Sequence, residues 1–378
     1  MSTLGAGFPG AAGRVVRVDR GAVLVLPADA GAAGATTGEA AGLTAGDVTG
    51  VSTGTAAAGA EPVRVPLPGE GLVPLLDADG APGDAVPPAV GDHAVLGAGP
   101  DGAPLLVGLR PRRTAVVRDG ADRTSRAQVL AANVDVVLVV EHLDPDPSPG
   151  RVERLLTLAW RSGATPVVVL TKADLVPDPD GMADEVRALA IGADVHAVSV
   201  ATGTGLEPVR ALLGPGRTLV VVGPSGAGKS TLVNALAGAD VMATGDRRAD
   251  GRGRHTTVHR ELVPLAGGAC LIDTPGLRGV GLVADAAALD ATFADVADLA
   301  AGCRFADCAH RTEPGCAVLA AVEDGTLPAR RLDSWRRLAR EAAYQERRAD
   351  AALAAAERNR VRRATVAYHR LQQGRPTR

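Results

Sequence analysis

The sequence predicts a multidomain protein with a small antiparallel β-barrel first, an α/β domain in the centre and a mainly helical segment last. Three observations predict this order: short β-branched runs separated by turns, then alternating strand and helix patterns, then a cysteine and histidine cluster. We place the domain boundaries at 1–112, 113–286 and 287–378. The length of 378 residues allows each domain a hydrophobic core of its own.

Composition narrows the cellular setting and the partners. No apolar run is long enough to span a bilayer, and the N-terminus lacks the pattern of a signal peptide, so we expect a cytoplasmic protein with no membrane partner. The formal net charge is −3, which by itself indicates no partner. From Arg330 onward, however, fourteen arginines face five acidic residues, which suggests a polyanion near the C-terminus.

The barrel is predicted from short strands in the N-terminal third of the chain. Residues 13–26 read as a hairpin, and further strand patterns cover 62–66, 93–96 and 104–109. The segment 28–61 interrupts them with Gly, Ala and Thr and almost no large apolar residue. It buries too little surface to offset its ordering entropy, so we interpret it as a mobile insertion in a barrel loop.

Two arginine-rich segments each allow two interpretations. Residues 109–126, LRPRRTAVVRDGADRTSR, are either a solvated linker or a patch that contacts a nucleic-acid backbone. Residues 334–363 have helical spacing and are either a solvated helix or a helix that contacts RNA phosphates. The number of arginines favours RNA contact for the second segment.

The central domain is predicted from apolar runs that alternate with helical patterns. Such alternation indicates a mostly parallel sheet, whose ligands bind beyond the carboxyl ends of the strands. The predicted elements are strand 135–140, helix 151–161, strand 166–170, helix 184–191, strand 194–198, strand 219–222 with a helix after it, and strands 261–265 and 269–272.

A phosphate-binding loop follows the strand at 219–222. The stretch GPSGAGKST matches the pattern G-x-x-x-x-G-K-[ST] and lies between a strand and a helix, as a P-loop requires. Its backbone N–H groups and the helix dipole favour phosphate, Lys229 can reach the β- and γ-phosphates, and Ser230 can bind Mg²⁺. The candidate phosphate-binding residues are Gly223, Pro224, Ser225, Gly226, Ala227, Gly228, Lys229, Ser230 and Thr231.

Two further loops predict the base. The stretch TKAD, formed by Thr171, Lys172, Ala173 and Asp174, resembles the guanine-specifying N-K-x-D box, whose Asp accepts hydrogen bonds from guanine N1–H and the exocyclic amine. Thr171 replaces the Asn of that box, which removes a carboxamide. One strand later comes SVATGTG, whose first three residues resemble a loop with a backbone N–H that meets guanine O6. These residues are Ser199, Val200 and Ala201.

A third loop predicts the metal and the switch. In DTPG, Asp273 is positioned to hold Mg²⁺ through water and Gly276 to place its N–H near the γ-phosphate. Thr256 or Thr257 completes the Mg²⁺ shell as a switch threonine.

The residue after DTPG is Leu277, where many GTPases have a water-orienting Gln. We therefore expect slow intrinsic hydrolysis that a partner accelerates. His255 is the candidate group for positioning the water; the alternative is an ordinary solvent-exposed histidine.

The order of these motifs is unusual. Common GTPases run P-loop, switch threonine, DxxG, N-K-x-D and S-A-K, whereas here the last two come first. Joining the ends of a domain and opening a surface loop leaves the active centre intact. The order therefore predicts a circular permutation.

The C-terminal cluster predicts a metal. Cys303, Cys308, His310 and Cys316 supply three thiolates and one imidazole, a set that suits a closed tetrahedral structural Zn²⁺ site. Unrelated buried cysteines are the alternative. Cys270, within a strand, is interpreted as a core residue.

The motifs LRPRRT, AANVD, TKADL, GPSGAGKST, RGRHTT, DTPGL and CRFADCAH with EPGC together resemble the circularly permuted, ribosome small-subunit-dependent GTPases of bacteria. The resemblance implies an N-terminal OB-fold barrel that binds RNA, a permuted P-loop GTPase domain and a zinc-binding helical domain. It also implies a monomer that binds GTP or GDP with Mg²⁺, and GTP hydrolysis stimulated by the 30S subunit and its 16S rRNA late in maturation.

Two other functions are compatible with parts of the sequence. One is an RNA-binding adaptor whose nucleotide site is structural, against which the intact Lys229, Ser230 and Asp273 argue. The other is an ATP-using P-loop enzyme, which TKAD opposes.

Overall fold

The fold was analysed in a computed structural model, which describes residues 11–27, 61–99, 102–118, 128–242, 260–265, 267–273 and 285–347. These residues form two compact units. The first comprises those within 1–117 and 129–279, and the second those within 118–128 and 280–378. Residues 28–60 of the predicted insertion, the candidates His255, Thr256, Thr257 and Gly276, and Leu277 lie outside the described residues.

The N-terminal part of the first unit is a seven-stranded sheet in the order β3-β2-β1-β6-β7-β4-β5. Its strands are β1 (Ala11–Asp19), β2 (Ala22–Pro27), β3 (Val63–Pro66), β4 (Val73–Leu76), β5 (Pro82–Val86), β6 (His93–Ala98) and β7 (Pro104–Leu109). Neighbours are antiparallel except β4 and β7, which pair in parallel at Leu75 and Leu109. The hairpin predicted at 13–26 is confirmed.

The prediction of about five strands here was too low, because β4 and β5 were missed. Pro74 lies inside β4, and β5 begins with Pro82 and is exposed along nearly its whole length. Proline cannot donate a ladder hydrogen bond, so it is tolerated on edge strands such as β5. Such strands lack the alternating apolar pattern on which the prediction relied.

The arginine-rich connector is held by the fold where it is described. Arg112 makes a bidentate ion pair with the fully buried Asp92, with N–O distances of 2.7 Å. Arg113 pairs with Asp135 at 3.2 Å. The connector continues as β8 (Ala115–Arg118), which pairs with β9 (Gln128–Ala132). A solvated linker is therefore the wrong interpretation of 110–118, and three of its arginines, Arg112, Arg113 and Arg118, already have partners in the protein.

The central sheet has six strands in the order β12-β11-β10-β13-β15-β14. All neighbours are parallel except β14, which is antiparallel to β15. The strands are β10 (Val136–His142), β11 (Thr165–Thr171), β12 (Asp194–Ala197), β13 (Thr218–Val222), β14 (Glu261–Pro264) and β15 (Cys270–Asp273). The helices are α1 (Pro149–Ser162), α2 (Pro179–Leu189), α3 (Leu206–Arg210) and α4 (Lys229–Ala237). The predicted parallel sheet is confirmed.

The strand order contains a topological switch point. The chain runs outward from β10 through β11 to β12 and then returns to place β13 on the other side of β10. The crevice beyond the carboxyl ends of β10 and β13 is therefore a topological switch point, which is where open α/β sheets bind ligands.

The helix α2 begins earlier than the predicted residue 184. Asp178 caps it, its side chain accepting a hydrogen bond from the amide of Gly181 at 2.9 Å, and Pro179 occupies the first turn. Both residues are typical of helix starts. The prediction followed the apolar spacing and ignored these signals.

Arg14 connects the N-terminal sheet to the base of the central sheet. It donates to the hydroxyl of Thr218 at 3.1 Å and lies 3.3 Å from Nε2 of His93. The amide of Thr218 in turn donates to Asp135 at 2.8 Å. Burial, and then the charge of Arg14, lower the pKa of His93 to about 4.

This histidine predicts a loss of stability in acid. In the unfolded chain a histidine has a pKa of about 6.5, so below that pH the unfolded state binds the proton more readily than the folded state. Stability is therefore expected to fall as the pH drops from about 6.5 towards 4. Urea midpoints at pH 7 and pH 5 should differ less for His93→Gln than for the natural chain. His196→Gln, in β12, is the control; an equal change in both variants would contradict the assignment.

The second unit is helical. Its elements are α5 (Ala286–Thr292), α6 (Ala294–Ala300), α7 (Ala317–Glu323) and a C-terminal helix segment whose described part is 329–347. Arg331 fixes this segment, because it is 2% exposed, pairs with Asp295 at 2.9 Å and lies over the ring of Phe293 at 4.4 Å. Within the residues described, no helix is long and apolar enough to cross a membrane.

Candidate nucleotide site and metal cluster

The P-loop residues lie at the junction of β13 and α4, as predicted, and the last three of them form the start of α4. Gly228 precedes the helix with a φ of 75°, and Nζ of Lys229 donates to the carbonyl of Pro224 at 2.6 Å. The amides of a helix start point away from the helix body towards the loop. The arrangement therefore places the N-terminus of α4 and a lysine at the switch point between β10 and β13.

Gly223 has no room for a side chain. Its φ is 153°, and a Cβ atom there would lie 2.1 Å from the carbonyl oxygen of Val140 at the end of β10. Glycine is the residue that tolerates both the conformation and the close approach. The close approach of Gly223 to Val140 explains why the loop starts with glycine. It also brings the ends of β10 and β13 together.

The two predicted base loops also meet. Asp174 follows β11, and Ser199 follows β12; the Ser199 hydroxyl donates to the Asp174 carboxylate at 2.6 Å. Ser199 is 1% exposed, and its amide donates to the carbonyl of Thr204. The serine therefore fixes an exposed carboxylate in one orientation. No sequence pattern indicates this side-chain bond, because the two residues are 25 positions apart.

The other residues of TKAD contact the protein. The Thr171 hydroxyl lies 2.8 Å from the carbonyl oxygen of Ala227 in the P-loop and 3.2 Å from that of Glu141. Lys172 has a left-handed backbone, with φ of 63°, and its Nζ donates to the carbonyl of Asp144 at 3.1 Å. The loop after β10 thus supports the TKAD loop, a role that the sequence did not predict.

A buried acid anchors that supporting loop. Glu141 is fully buried at the end of β10 and accepts two hydrogen bonds from Arg151 of α1, at 2.6 and 2.8 Å. The next residue, His142, has its Nδ1 2.7 Å from the carbonyl oxygen of Pro145. An acid inside a strand of valines was the signal that could have identified this support, since a buried carboxylate needs a partner.

Only the backbone position of Asp273 is described. It is the last residue of β15 and pairs with Val221 of β13, so the start of DTPG lies beside the P-loop strand. The role predicted for its carboxylate stays a prediction. Cys270, three residues earlier, is buried as predicted, and burial raises the pKa of its thiol.

The predicted metal ligands of the second unit converge. The ligand atoms of Cys303, Cys308, His310 and Cys316 all lie within 4.8 Å of one another. The Sγ atoms of Cys303 and Cys316 are 3.8 Å apart, and Nδ1 of His310 lies 3.6 and 3.4 Å from them. Two thiolates on a tetrahedral zinc, each bonded at about 2.3 Å, lie about 3.8 Å apart. The cluster therefore fits zinc.

The surroundings of the cluster support ligation. Burial lowers the pKa of His310, which favours the neutral imidazole that binds metals. Its ring makes an edge contact with Trp335, at 5.4 Å between centroids, and Arg336 donates to its carbonyl. Glu313 accepts bonds from three amides of the loop, chiefly that of Arg311, and these lower its pKa to about 2.

The fold and the site together define a class. The predicted P-loop follows the fourth strand of the central sheet along the chain, while the two loops that were predicted to specify the base follow the second and third. In space, however, all three loops lie at the carboxyl ends of parallel strands. The fold therefore belongs to the class of circularly permuted P-loop proteins.

Comparison with known proteins identifies the family. The family model described as RsgA GTPase matches residues 109–283. "Small ribosomal subunit biogenesis GTPase RsgA 2" of Listeria monocytogenes is 45% identical over 72% of this chain and 78% of its own length. The protein of the same type from Streptomyces coelicolor is 54% identical over 61% of this chain. The chain belongs to the RsgA GTPase family.

Solved structures share the fold. YjeQ from Thermotoga maritima superposes with a TM-score of 0.57 at 23% identity, covering 88% of this chain and 98% of its own. YloQ, described as a circularly permuted GTPase, gives 0.55 at 22% identity, covering 91% and 99%. The alignment with the Streptomyces coelicolor relative spans 64% of that protein's length.

Proposed function

We propose that this protein hydrolyses GTP during late maturation of the small (30S) ribosomal subunit, and that the subunit stimulates it. The observation that carries the proposal is the Ser199–Asp174 bond beside the P-loop, which fixes a carboxylate where a guanine base would be read. The names of the relatives, which are small ribosomal subunit biogenesis GTPases, support the partner. We also propose that it acts in the cytoplasm and as a monomer.

The P-loop and the guanine loops would divide the nucleotide between them. The phosphates would be held by the backbone of residues 223–231 and by Lys229, and the base by the two loops at 171–174 and 199–201. Ser230 and Asp273 would hold Mg²⁺, with Thr256 or Thr257 completing its shell. His255 stays the candidate for positioning the attacking water.

The metal cluster would hold one structural Zn²⁺ through the four ligands described above. A structural zinc supplies folding free energy to a segment with a small core. Through Trp335 and Arg336, which both contact His310, it would also fix the C-terminal helix segment.

The C-terminal helix segment is a better candidate for RNA contact than the N-terminal sheet. Residues 330, 333, 337, 340, 344 and 347 are all exposed and recur every three or four positions, so they share one face. We name this the arginine face; it consists of Arg330, Asp333, Arg337, Arg340, Tyr344 and Arg347. Tyr344 is 55% exposed, and arginine with an aromatic ring suits phosphate and base contact.

The N-terminal sheet is proposed to be an OB-fold, with less capacity for RNA than the arginine face. Residues 1–112 carry six arginines and eleven acidic residues, and no aromatic residue lies between Phe8 and Trp160. The N-terminal sheet therefore offers RNA little base stacking and little electrostatic attraction for phosphates. We place domain boundaries at 112 and 286, as the sequence predicts.

The test of the function is turnover of GTP and ATP with and without purified 30S subunits. We expect slow hydrolysis of GTP alone, at least tenfold stimulation by 30S subunits, and little turnover of ATP. The 50S subunit is the control. If 30S subunits do not stimulate hydrolysis, an RNA-binding adaptor with a structural nucleotide site becomes the favoured function. A preference for ATP would overturn the guanine assignment.

A further inference from the structure

Thr171 lies where three parts of the proposed nucleotide site meet. It is the last residue of β11, its backbone carbonyl accepts the amide of Leu143 at 3.0 Å, and its side chain is 3% exposed. Its hydroxyl is 2.8 Å from the P-loop carbonyl of Ala227 and 3.2 Å from the carbonyl of Glu141. The guanine box, the P-loop and the end of β10 therefore share one buried side chain.

The hydroxyl has no second proton to donate to a base. It carries a single proton, which both carbonyl oxygens compete for, and the shorter distance favours Ala227. Both acceptors belong to fully buried residues, where the loss of a hydrogen bond to a carbonyl oxygen costs free energy. A Cβ atom added at Gly228 would lie 3.5 Å from this oxygen, so the P-loop packs directly against it.

We infer that Thr171 does not read guanine but ties the TKAD loop to the P-loop, so that phosphate binding depends on the position of the base-reading loop. The inference rests on the proposed function and assigns base reading to Asp174, which Ser199 orients. Thr171 stands where the N-K-x-D box has asparagine. On this inference, its side chain still fills the space between the TKAD loop and the P-loop. Thr171 is a positioning residue.

Thr171→Val tests this, because valine keeps the shape and removes the hydroxyl. We expect the affinity for GDP and for inosine diphosphate to fall by the same factor, about tenfold, since an unpaired buried carbonyl weakens the P-loop. The ratio of the two affinities should not change. Thr171→Ser keeps the hydroxyl and should retain both affinities of the natural chain. Thr202→Val, which removes an exposed hydroxyl from the neighbouring loop, should alter neither affinity.

Asp174→Asn supplies the contrast. It removes the carboxylate that would accept from the base, so it should lower GDP affinity and raise affinity for xanthosine diphosphate, which changes the ratio between bases. Thr171→Val should leave that ratio as it is.

Several outcomes would overturn the inference. Thr171→Val could lower the affinity for GDP alone, which would mean direct base reading, or leave both affinities unchanged. Should the valine variant not fold, Thr171→Ser decides, because loss of affinity with the hydroxyl retained also contradicts the inference. Failure of the natural chain to prefer GDP over ADP would instead overturn the proposed function. Failure of the inference and failure of the proposed function therefore give different results.

Discussion

Replacing Cys316 by serine is expected to abolish stoichiometric zinc binding and to destabilise the second unit. Apparent binding free energies of structural zinc are about 10–16 kcal/mol, so loss of one of four ligands removes much of the folding free energy of a small helical unit. Cys316 also precedes α7, where its Sγ accepts a hydrogen bond from the amide of Leu319 at 3.4 Å. Serine is a favoured N-cap, so the variant keeps the cap and removes the ligand.

The measurement combines metal analysis with hydrogen exchange. Zinc per chain should fall from one towards zero, and amides within 285–347 should lose protection, while amides of the first unit and its affinity for GDP stay near those of the natural chain. Cys270→Ala is the matched control, because it removes a buried thiol outside the cluster. Full zinc content in Cys316→Ser, or equal zinc loss in Cys270→Ala, would contradict the four-ligand site.

The central sheet was predictable because its strands are nearly continuous apolar runs. Residues 136–140 of β10 are all buried, as a strand covered on both faces must be, and few other structures suit five consecutive valines and leucines. The P-loop and the metal ligands were predictable for a related reason. Each is a short motif whose spacing is set by the atoms that it holds, and neither depends on distant packing.

Contacts between distant residues were not predictable. Thr171 lies 30 and 56 positions from its two hydrogen-bond partners, so nothing local to TKAD shows that its hydroxyl meets the P-loop. The arginines of the C-terminal segment show the same difficulty. Arg331 is 2% exposed beside Asp295, whereas Arg337 is exposed, and one sequence pattern contains both. Burial separates structural cations from those available to a polyanion.

The last prediction concerns the exposed arginines of the C-terminal helix segment. Reversing two charges of the arginine face, with Arg337→Glu and Arg340→Glu, is expected to lower affinity for 30S subunits by about a hundredfold. A hydrogen bond to a charged group contributes about 1.5 kcal/mol or more, which is roughly tenfold for each arginine. Each lost phosphate contact should also reduce the slope of log affinity against log salt concentration by about one.

The control variant reverses two exposed arginines elsewhere, Arg187→Glu and Arg210→Glu, which pair with acids on their own helices. It has the same net charge as the test variant, so a general repulsion from the subunit would affect both equally. Affinity for GDP and intrinsic turnover should stay unchanged in the test variant, because its residues belong to the second unit. Weaker 30S binding with an unchanged salt slope would assign the face to a protein partner instead of RNA.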